Sequence, residues 1–162
     1  MAKKLEIEKK YLLKRLPALR YSKVIEIIQY YLKDGVRIRQ ATAITDGKLN
    51  SLERLFFLTK KTKIKMGVYE EDETLISEKK YKLLSEKAES VMYKTRYIYK
   101  AGKLKWEIDV YGIKLVTAEI ELPKENFAFT MPAFIKKELI MDVTEFPQFT
   151  SKRLSDPTKL KG

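Results

Sequence analysis

Charged residues recur at every second position along this chain. Glu6-x-Glu8-x-Lys10 comes first. Arg37-x-Arg39, Lys61-x-Lys63-x-Lys65, Glu71-x-Glu73, Lys94-x-Arg96, Glu107-x-Asp109 and Glu119-x-Glu121 follow with the same spacing. Side chains at i and i+2 share one face of a β-strand, so each stretch presents a charged pair to one side, while Ile7, Val36, Ile38, Ile108 and Ile120 fall on the other. Lys10 apart, each pair carries a single sign. Like charges side by side repel unless a counter-ion or ligand sits between them. A wall of carboxylates suits a hard cation such as Mg²⁺ or Mn²⁺, and a wall of Arg and Lys suits several phosphates. Facing each other, the two walls meet the requirements of metal-assisted phosphoryl transfer. A sheet with its polar face in water accounts for the alternation equally well, though not for the sorting by sign. Both readings stand on the pattern alone.

Composition narrows the partners. The chain has 34 Lys+Arg against 22 Asp+Glu, a net charge of +12, which favours an anionic partner: nucleic acid, a membrane surface or a phosphorylated small molecule. It has no Cys and no His. Disulfides, thiol or imidazole catalysis and Cys/His zinc sites are therefore excluded, and any metal must be a hard cation held by oxygen. Hydrophobic residues make up 44% of the 162 residues and aromatic residues 11%, enough for a packed core rather than disorder. No apolar run reaches transmembrane length, and the basic N-terminus has no apolar signal core. The expectation is a soluble, cytoplasmic protein of one domain over 1–162.

The elements that must position these pairs read mostly as strands. The pattern predicts strands over Lys4–Leu13, Val24–Leu32, Val36–Thr42, Glu53–Lys65, Val68–Leu75, Val91–Lys100, Leu104–Tyr111 and Val116–Leu122. Asp34-Gly35, Asp46-Gly47 and Ala101-Gly102-Lys103 supply the turns. Ser77 offers an N-cap, and Tyr81, Leu84 and Ala88 at i, i+3 and i+7 predict a short amphipathic helix. Beyond Lys124 the pattern weakens into helix and loop, broken by Pro132 and Pro147. Trp106 is expected to pack on an outer face, and Lys152 and Arg153 to lie in a solvated tail. About eight short strands in a chain of this length predict an α+β protein, mostly antiparallel β, built on a closed barrel or a sandwich.

The ordered set of motifs resembles the CYTH superfamily, the triphosphate tunnel metalloenzymes. Glu6-x-Glu8-x-Lys10 matches the family's N-terminal signature. Gln29-x-Tyr31-Leu32 with Val36-Arg37-x-Arg39, Leu58-Thr59-Lys60-Lys61, Glu71-x-Glu73-x-x-Ile76, Lys94-x-Arg96, Trp106-Glu107-x-Asp109, Ala118-Glu119-x-Glu121-Leu122 and Asp142-Val143-Thr144 follow where the family places such elements. The resemblance covers about residues 5–155. It implies an eight-stranded closed antiparallel barrel, a triphosphate tunnel, with helices packed outside. It also implies Mg²⁺ or Mn²⁺ as cofactor and a triphosphate-containing small molecule as partner, with no nucleic acid and no membrane. A homodimer is compatible with it.

Residue by residue, the resemblance puts Glu6, Glu8, Glu119 and Glu121 on the metal side. Glu73 and Asp109 are further candidates, for a second cation or for holding basic side chains. Lys10, Arg37, Arg39, Lys61, Lys94 and Arg96 fall at phosphate-binding positions. Glu8, as the carboxylate orienting the attacking water, and Lys10 are the catalytic candidates. Two positions depart from the family: Tyr69 stands where an Arg is frequent, and Ser151 where an Asn is common. The activity implied is divalent-metal-dependent triphosphate hydrolysis, with inorganic tripolyphosphate as first choice because no base-recognition element is visible. The alternatives are a class IV-type adenylate cyclase, a thiamine triphosphatase, or a non-catalytic module binding polyphosphate or RNA.

Overall fold

A computed structural model describes residues 3–112 and 114–156. The chain runs through β1 (Lys3–Leu13), β2 (Lys23–Tyr31), β3 (Val36–Thr45), β4 (Lys48–Lys65), β5 (Val68–Leu75), α1 (Glu78–Ser85), β6 (Ser90–Ala101), β7 (Leu104–Tyr111) and β8 (Leu115–Leu122). It continues with α2 (Ala133–Lys136), β9 (Leu139–Asp142), a 3₁₀ turn at Pro147–Phe149 and α3 (Ser151–Leu154). The strands pair antiparallel in the order β5-β4-β3-β2-β6-β7-β8-β1, and β5 pairs with β1 to close the barrel. β9 lies alongside the far end of β1, with Tyr11 opposite Asp142. No helix among the described residues is long and apolar enough to cross a membrane.

Eight predicted strands and the helix are present, with ends moved by a residue or so except at the β3–β4 hairpin. That hairpin is longer than expected: β3 runs to Thr45 and β4 begins at Lys48. Asp46 (φ 52°) and Gly47 (φ 76°) are both left-handed, the signature of a two-residue type I′ turn whose twist suits the flanking strands. The turn keeps Lys48 and Leu49 paired with Thr45 and Ile44 across a register shift, although Lys48-Leu49-Asn50-Ser51 has little strand propensity.

The apolar core lies outside the barrel. Tyr11, Trp106, Ile108, Ala118 and Ile120 point outward from β1, β7 and β8, where Ile135 of α2 covers them and Phe127, Phe129 and Phe134 pack alongside. Trp106 is buried, its ring 6.0 Å from Tyr11 and 5.9 Å from Phe129, as expected of an outer-face residue. On the opposite side α1 covers Ile38 and Phe56. Ser77 caps α1 by accepting from the Lys80 amide at 3.1 Å, and Tyr81 packs 4.9 Å from Phe56. With apolar residues sent outward, the alternating positions send the charges into the lumen.

Candidate functional site

The charged pairs line one cavity of about 650 Å³ inside the barrel. Strand order sorts them by sign. β4, β3 and β6, with β2 between the last two, bring Lys61, Arg37, Arg39, Lys94 and Arg96 onto one arc, and Lys23 of β2 joins them. β7, β8, β1 and β5 bring Glu107, Asp109, Glu119, Glu121, Glu6, Glu8, Glu71 and Glu73 onto the other. All twelve residues marked from the sequence border this lumen or, for Asp109, reach into it through Lys94 and Arg96. Two acids without an assigned role, Glu71 and Glu107, join them; their i, i+2 spacing was the visible signal.

Opposite charges meet within the lumen, some between adjacent strands, as Lys10 with Glu119 and Arg96 with Asp109, and some from farther apart. Lys61 lies 3.4 Å from Glu6 and 3.6 Å from Glu8, and Lys10 lies 3.4 Å from Glu119. From β3, over the top of β4, Arg37 reaches Glu71 at 3.6 Å and Arg39 reaches Glu73 at 3.2 Å. Glu73 also accepts from Thr59 at 2.8 Å. Asp109 receives Arg96 through Nε at 2.8 Å and Nη2 at 2.9 Å, and Lys94 at 2.9 Å; Glu107 accepts from Arg96 Nη1 at 3.0 Å. Glu121 meets Lys4 at 2.8 Å. The repulsion expected along each strand is thus offset by opposite charges on other strands.

The balance is incomplete on both sides. The Nε–H groups of Arg37 and Arg39 are buried without an acceptor, and Glu71 Oε2 is buried without a donor. Burial and the neighbouring Arg96 lower the pKa of Arg39, which places an excess of cation around it. Among the acids, carboxyls meet in pairs. Burial, then the facing Glu119, pushes Glu8 well above the usual carboxyl range. Burial also acts on Glu119, but Lys10 and the hydrogen bond from Glu8 outweigh it and hold Glu119 at about 2. Glu71 is pushed up to about 7 by burial and by a hydrogen bond with Glu6. Among the described residues no three carboxylates surround a common point. Carboxyls that face each other in pairs, in a chain without Cys or His, form an all-oxygen donor set of the kind a hard cation takes.

Local structure fixes Glu8 and Lys10. The Glu8 amide donates to the Gly67 carbonyl at 2.8 Å. Gly67 sits at φ +85°, and a Cβ there would stand 3.1 Å from the Glu8 carbonyl oxygen and from Thr144 Cγ2, so the approach requires glycine. The Lys10 amide donates to Thr144 Oγ1 at 3.0 Å, and Val143 donates to the Lys10 carbonyl at 2.9 Å. The Asp142-Val143-Thr144 turn therefore ties the C-terminal segment to β1 beside the lysine.

That segment, residues 143–152, lies across one end of the lumen. Lys10 Nζ donates to the Phe149 carbonyl at 3.2 Å, and Ser151 Oγ stands 3.4 Å from Lys94 Nζ and 3.3 Å from the Tyr111 hydroxyl. Lys152 and Arg153 are exposed, as a solvated tail would have them, but they belong to an ordered segment. Thr150 caps α3, Lys152 borders the cavity, and Asp156 pairs with Val91. The two departures also find a place. Ser151 holds Lys94, and the Tyr69 ring lies under Lys61 Nζ, 4.3 Å from it, within cation–π range.

A closed antiparallel barrel of eight strands with an ionised lumen is the triphosphate tunnel fold, and comparison with solved structures bears this out. The chain resembles the inorganic triphosphatase NE1496, with 24% identity over 93% of this chain and 93% of that one and a TM-score of 0.58. A second structure of NE1496, described as a hypothetical protein, gives 24% identity over 93% and 97% and a TM-score of 0.59. The PH1012 protein from Pyrococcus horikoshii OT3 gives 20% identity over 75% and 80%, with a TM-score of 0.53. No family profile and no curated protein matches the chain.

Proposed function

We propose that this protein hydrolyses a terminal phosphoanhydride bond of a triphosphate, with inorganic tripolyphosphate the simplest substrate. The observation that carries the reading is the pair of buried arginines whose Nε–H groups have no acceptor. Buried donors are nearly always satisfied, and a polyphosphate supplies charged acceptors along the whole basic arc. The similarity to NE1496, an inorganic triphosphatase, supports the same reading.

In this reading Arg37, Arg39, Lys61, Lys94, Arg96 and Lys10 bind and align the triphosphate. Glu6, Glu8, Glu119 and Glu121 would hold Mg²⁺ or Mn²⁺, with Glu73 and Asp109 mainly keeping Arg39, Lys94 and Arg96 in place. When bound, the cation neutralises charge on the phosphoryl oxygens. A water oxygen attacks the terminal phosphorus, the anhydride P–O bond breaks, and its electron pair leaves with diphosphate. The water's proton goes to a carboxylate; Glu8, ionised once a cation is bound beside it, would orient that water. The test is phosphate release from tripolyphosphate, ATP and thiamine triphosphate, each with and without Mn²⁺ or Mg²⁺. Release that requires the divalent ion is expected. Cyclic AMP formation from ATP would reassign the protein as a cyclase. Salt-sensitive binding without turnover would reassign it as a binding module.

Lys94 provides a test independent of turnover. Burial, then the neighbouring Arg96, lowers its pKa to about 7 despite Asp109. A polyanion in the lumen restores the ordinary lysine value, so between about pH 7 and 10 binding takes up as much as about one proton. Titration calorimetry at pH 8.5, in buffers of different ionisation enthalpy, should give tripolyphosphate binding heats that vary with the buffer. At pH 6, where Lys94 is already charged, its contribution should vanish, and Lys94→Met should remove it at pH 8.5. Buffer-independent heats at pH 8.5 would contradict contact between phosphate and this lysine.

A further inference from the structure

Lys61 starts on β4 and ends on β1. Glu71 stands directly opposite it in β5, yet the ammonium lies 3.4 Å from Glu6 and 3.6 Å from Glu8 of β1. β5 runs between β4 and β1, so the side chain crosses a whole strand to reach them. Glu71 is engaged elsewhere: Arg37 lies 3.6 Å away, and Glu6 shares a hydrogen bond with it. Among the described residues, Lys61 alone is ion-paired with two of the four carboxyls proposed to hold the metal. Lys10 pairs with Glu119 and Lys4 with Glu121.

Tyr69 stands at the crossing. It borders the lumen from β5, opposite Glu6 on β1 and Lys63 on β4, and its ring centroid is 4.3 Å from Lys61 Nζ. Burial, then Glu8, raises its pKa. The phenol is therefore uncharged at neutral pH, and it draws Lys61 as a ring face draws a cation, not as an anion would. Ordering a lysine side chain costs entropy; here two carboxyls and a ring hold it in one place. The residue is one of the two at which this chain departs from the family pattern, so the arrangement comes from this sequence and not from the shared motifs. An ammonium and a divalent cation cannot share the same two carboxyls, because at such separations they repel strongly.

We propose that Tyr69 is a positioning residue that holds Lys61 on Glu6 and Glu8 as a resident counter-ion, and that Lys61 must leave these carboxyls and the ring before they can take Mg²⁺ or Mn²⁺. The inference rests on the metal assignment above and deepens it. Held in place, Lys61 offsets the repulsion between Glu6 and Glu8 in the metal-free chain. Displaced, it joins Arg37 and Arg39 on the basic arc, where a triphosphate supplies acceptors. The ring contact belongs to the metal-free arrangement only. A contact made in one of two states shifts the balance toward that state by its own free energy, so Tyr69 lowers the affinity for the divalent cation.

The experiment measures Mn²⁺ binding to the full chain without substrate, from the electron paramagnetic resonance signal of free Mn²⁺. Tyr69→Leu, which keeps apolar bulk and loses the ring, should tighten Mn²⁺ binding about three- to tenfold. Tyr69→Phe, which keeps the ring, should stay within about twofold of the parent. Lys61→Met should tighten binding at least about tenfold. Adding Tyr69→Leu to Lys61→Met should change nothing further, because the ring then has no cation to hold. Unchanged or weaker binding in Tyr69→Leu would overturn the proposal. So would an effect of Tyr69→Leu that persists without Lys61, or a Tyr69→Phe variant that behaves like Tyr69→Leu. If Tyr69→Leu does not fold, the Lys61→Met arm decides: unchanged or weaker Mn²⁺ binding there would mean that Lys61 does not compete. Failure of the metal assignment itself shows separately. Mn²⁺ binding that survives Glu6→Gln and Glu8→Gln together, or none in either the parent or Lys61→Met, would remove that assignment and this inference with it.

Discussion

Glu8→Gln should lower kcat/KM for tripolyphosphate by at least about 100-fold without loss of stability. The magnitude follows from what would be removed on the proposed reading: a carboxylate that would hold a cation and orient the attacking water. Disturbing even the groups that orient metal ligands costs about 10–100-fold. The amide is nearly isosteric, and the backbone hydrogen bond to Gly67 remains. The sign for stability follows from linkage. Glu8 has a raised pKa in the folded chain, so the folded state binds more protons than the unfolded state above about pH 4. Its stabilising effect is full below the unfolded value and is lost as pH rises through the folded one. At pH 8 an uncharged Gln should therefore be at least as stable as Glu. Kinetics with Mn²⁺ and thermal melts at pH 8 check both halves. Near-normal turnover would remove Glu8 from the machinery, and a large drop in Tm would make its role structural.

Asp109→Asn should be the most damaging single change to the fold. Asp109 is buried and takes both Arg96 and Lys94. Burial alone would raise its pKa; the two cations outweigh this and hold it well below the usual carboxylate range. Breaking a buried ion pair by removing one partner costs about 3–5 kcal/mol, because the other charge stays buried. For a chain of this size that lowers Tm by roughly 10 °C or more. Lys94, already depressed, can shed its proton and recover part of the loss; Arg96 cannot. The depressed carboxyl contributes stability above its unfolded pKa of about 3.9 and loses it as pH falls toward the folded value. The gap between parent and variant should hold from pH 5 to 7 and narrow below pH 4. Urea unfolding at pH 7 and pH 3 measures it. A Tm within 2 °C of the parent at pH 7 would mean water reaches these cations in the native state.

The tunnel was legible in the sequence because a strand repeats every two residues. Arg37-x-Arg39 or Glu119-x-Glu121 can face one way only together, and Ile38 and Ile120 between them settle which way is outward. What periodicity does not carry is closure. Arg37 meets Glu71 over an intervening strand, and Glu8 meets Glu119 in a neighbouring strand more than a hundred residues on. Both depend on how the barrel closes. β9 escaped notice because Leu-Ile-Met-Asp is four residues long and is held by the edge of β1 rather than by its own pattern. The first residues of β4 were missed because the Asp46-Gly47 turn, not strand propensity, keeps them paired. The C-terminal segment reads as helix and loop; the resemblance marks Asp142-Val143-Thr144 and Ser151 in it, and its contacts with Lys10, Lys94 and Tyr111 give it its place at the lumen.

Those contacts bear on the order of events in a catalytic cycle. On the proposed reading, with residues 143–152 across one end, a triphosphate would enter through the other with a terminal phosphate foremost. Orthophosphate would then be formed innermost, behind the diphosphate fragment in the passage. Release would be sequential, diphosphate first and orthophosphate last. Orthophosphate, returning to the empty form, should inhibit competitively against the substrate. The diphosphate product, returning to a form that still holds orthophosphate, should inhibit noncompetitively.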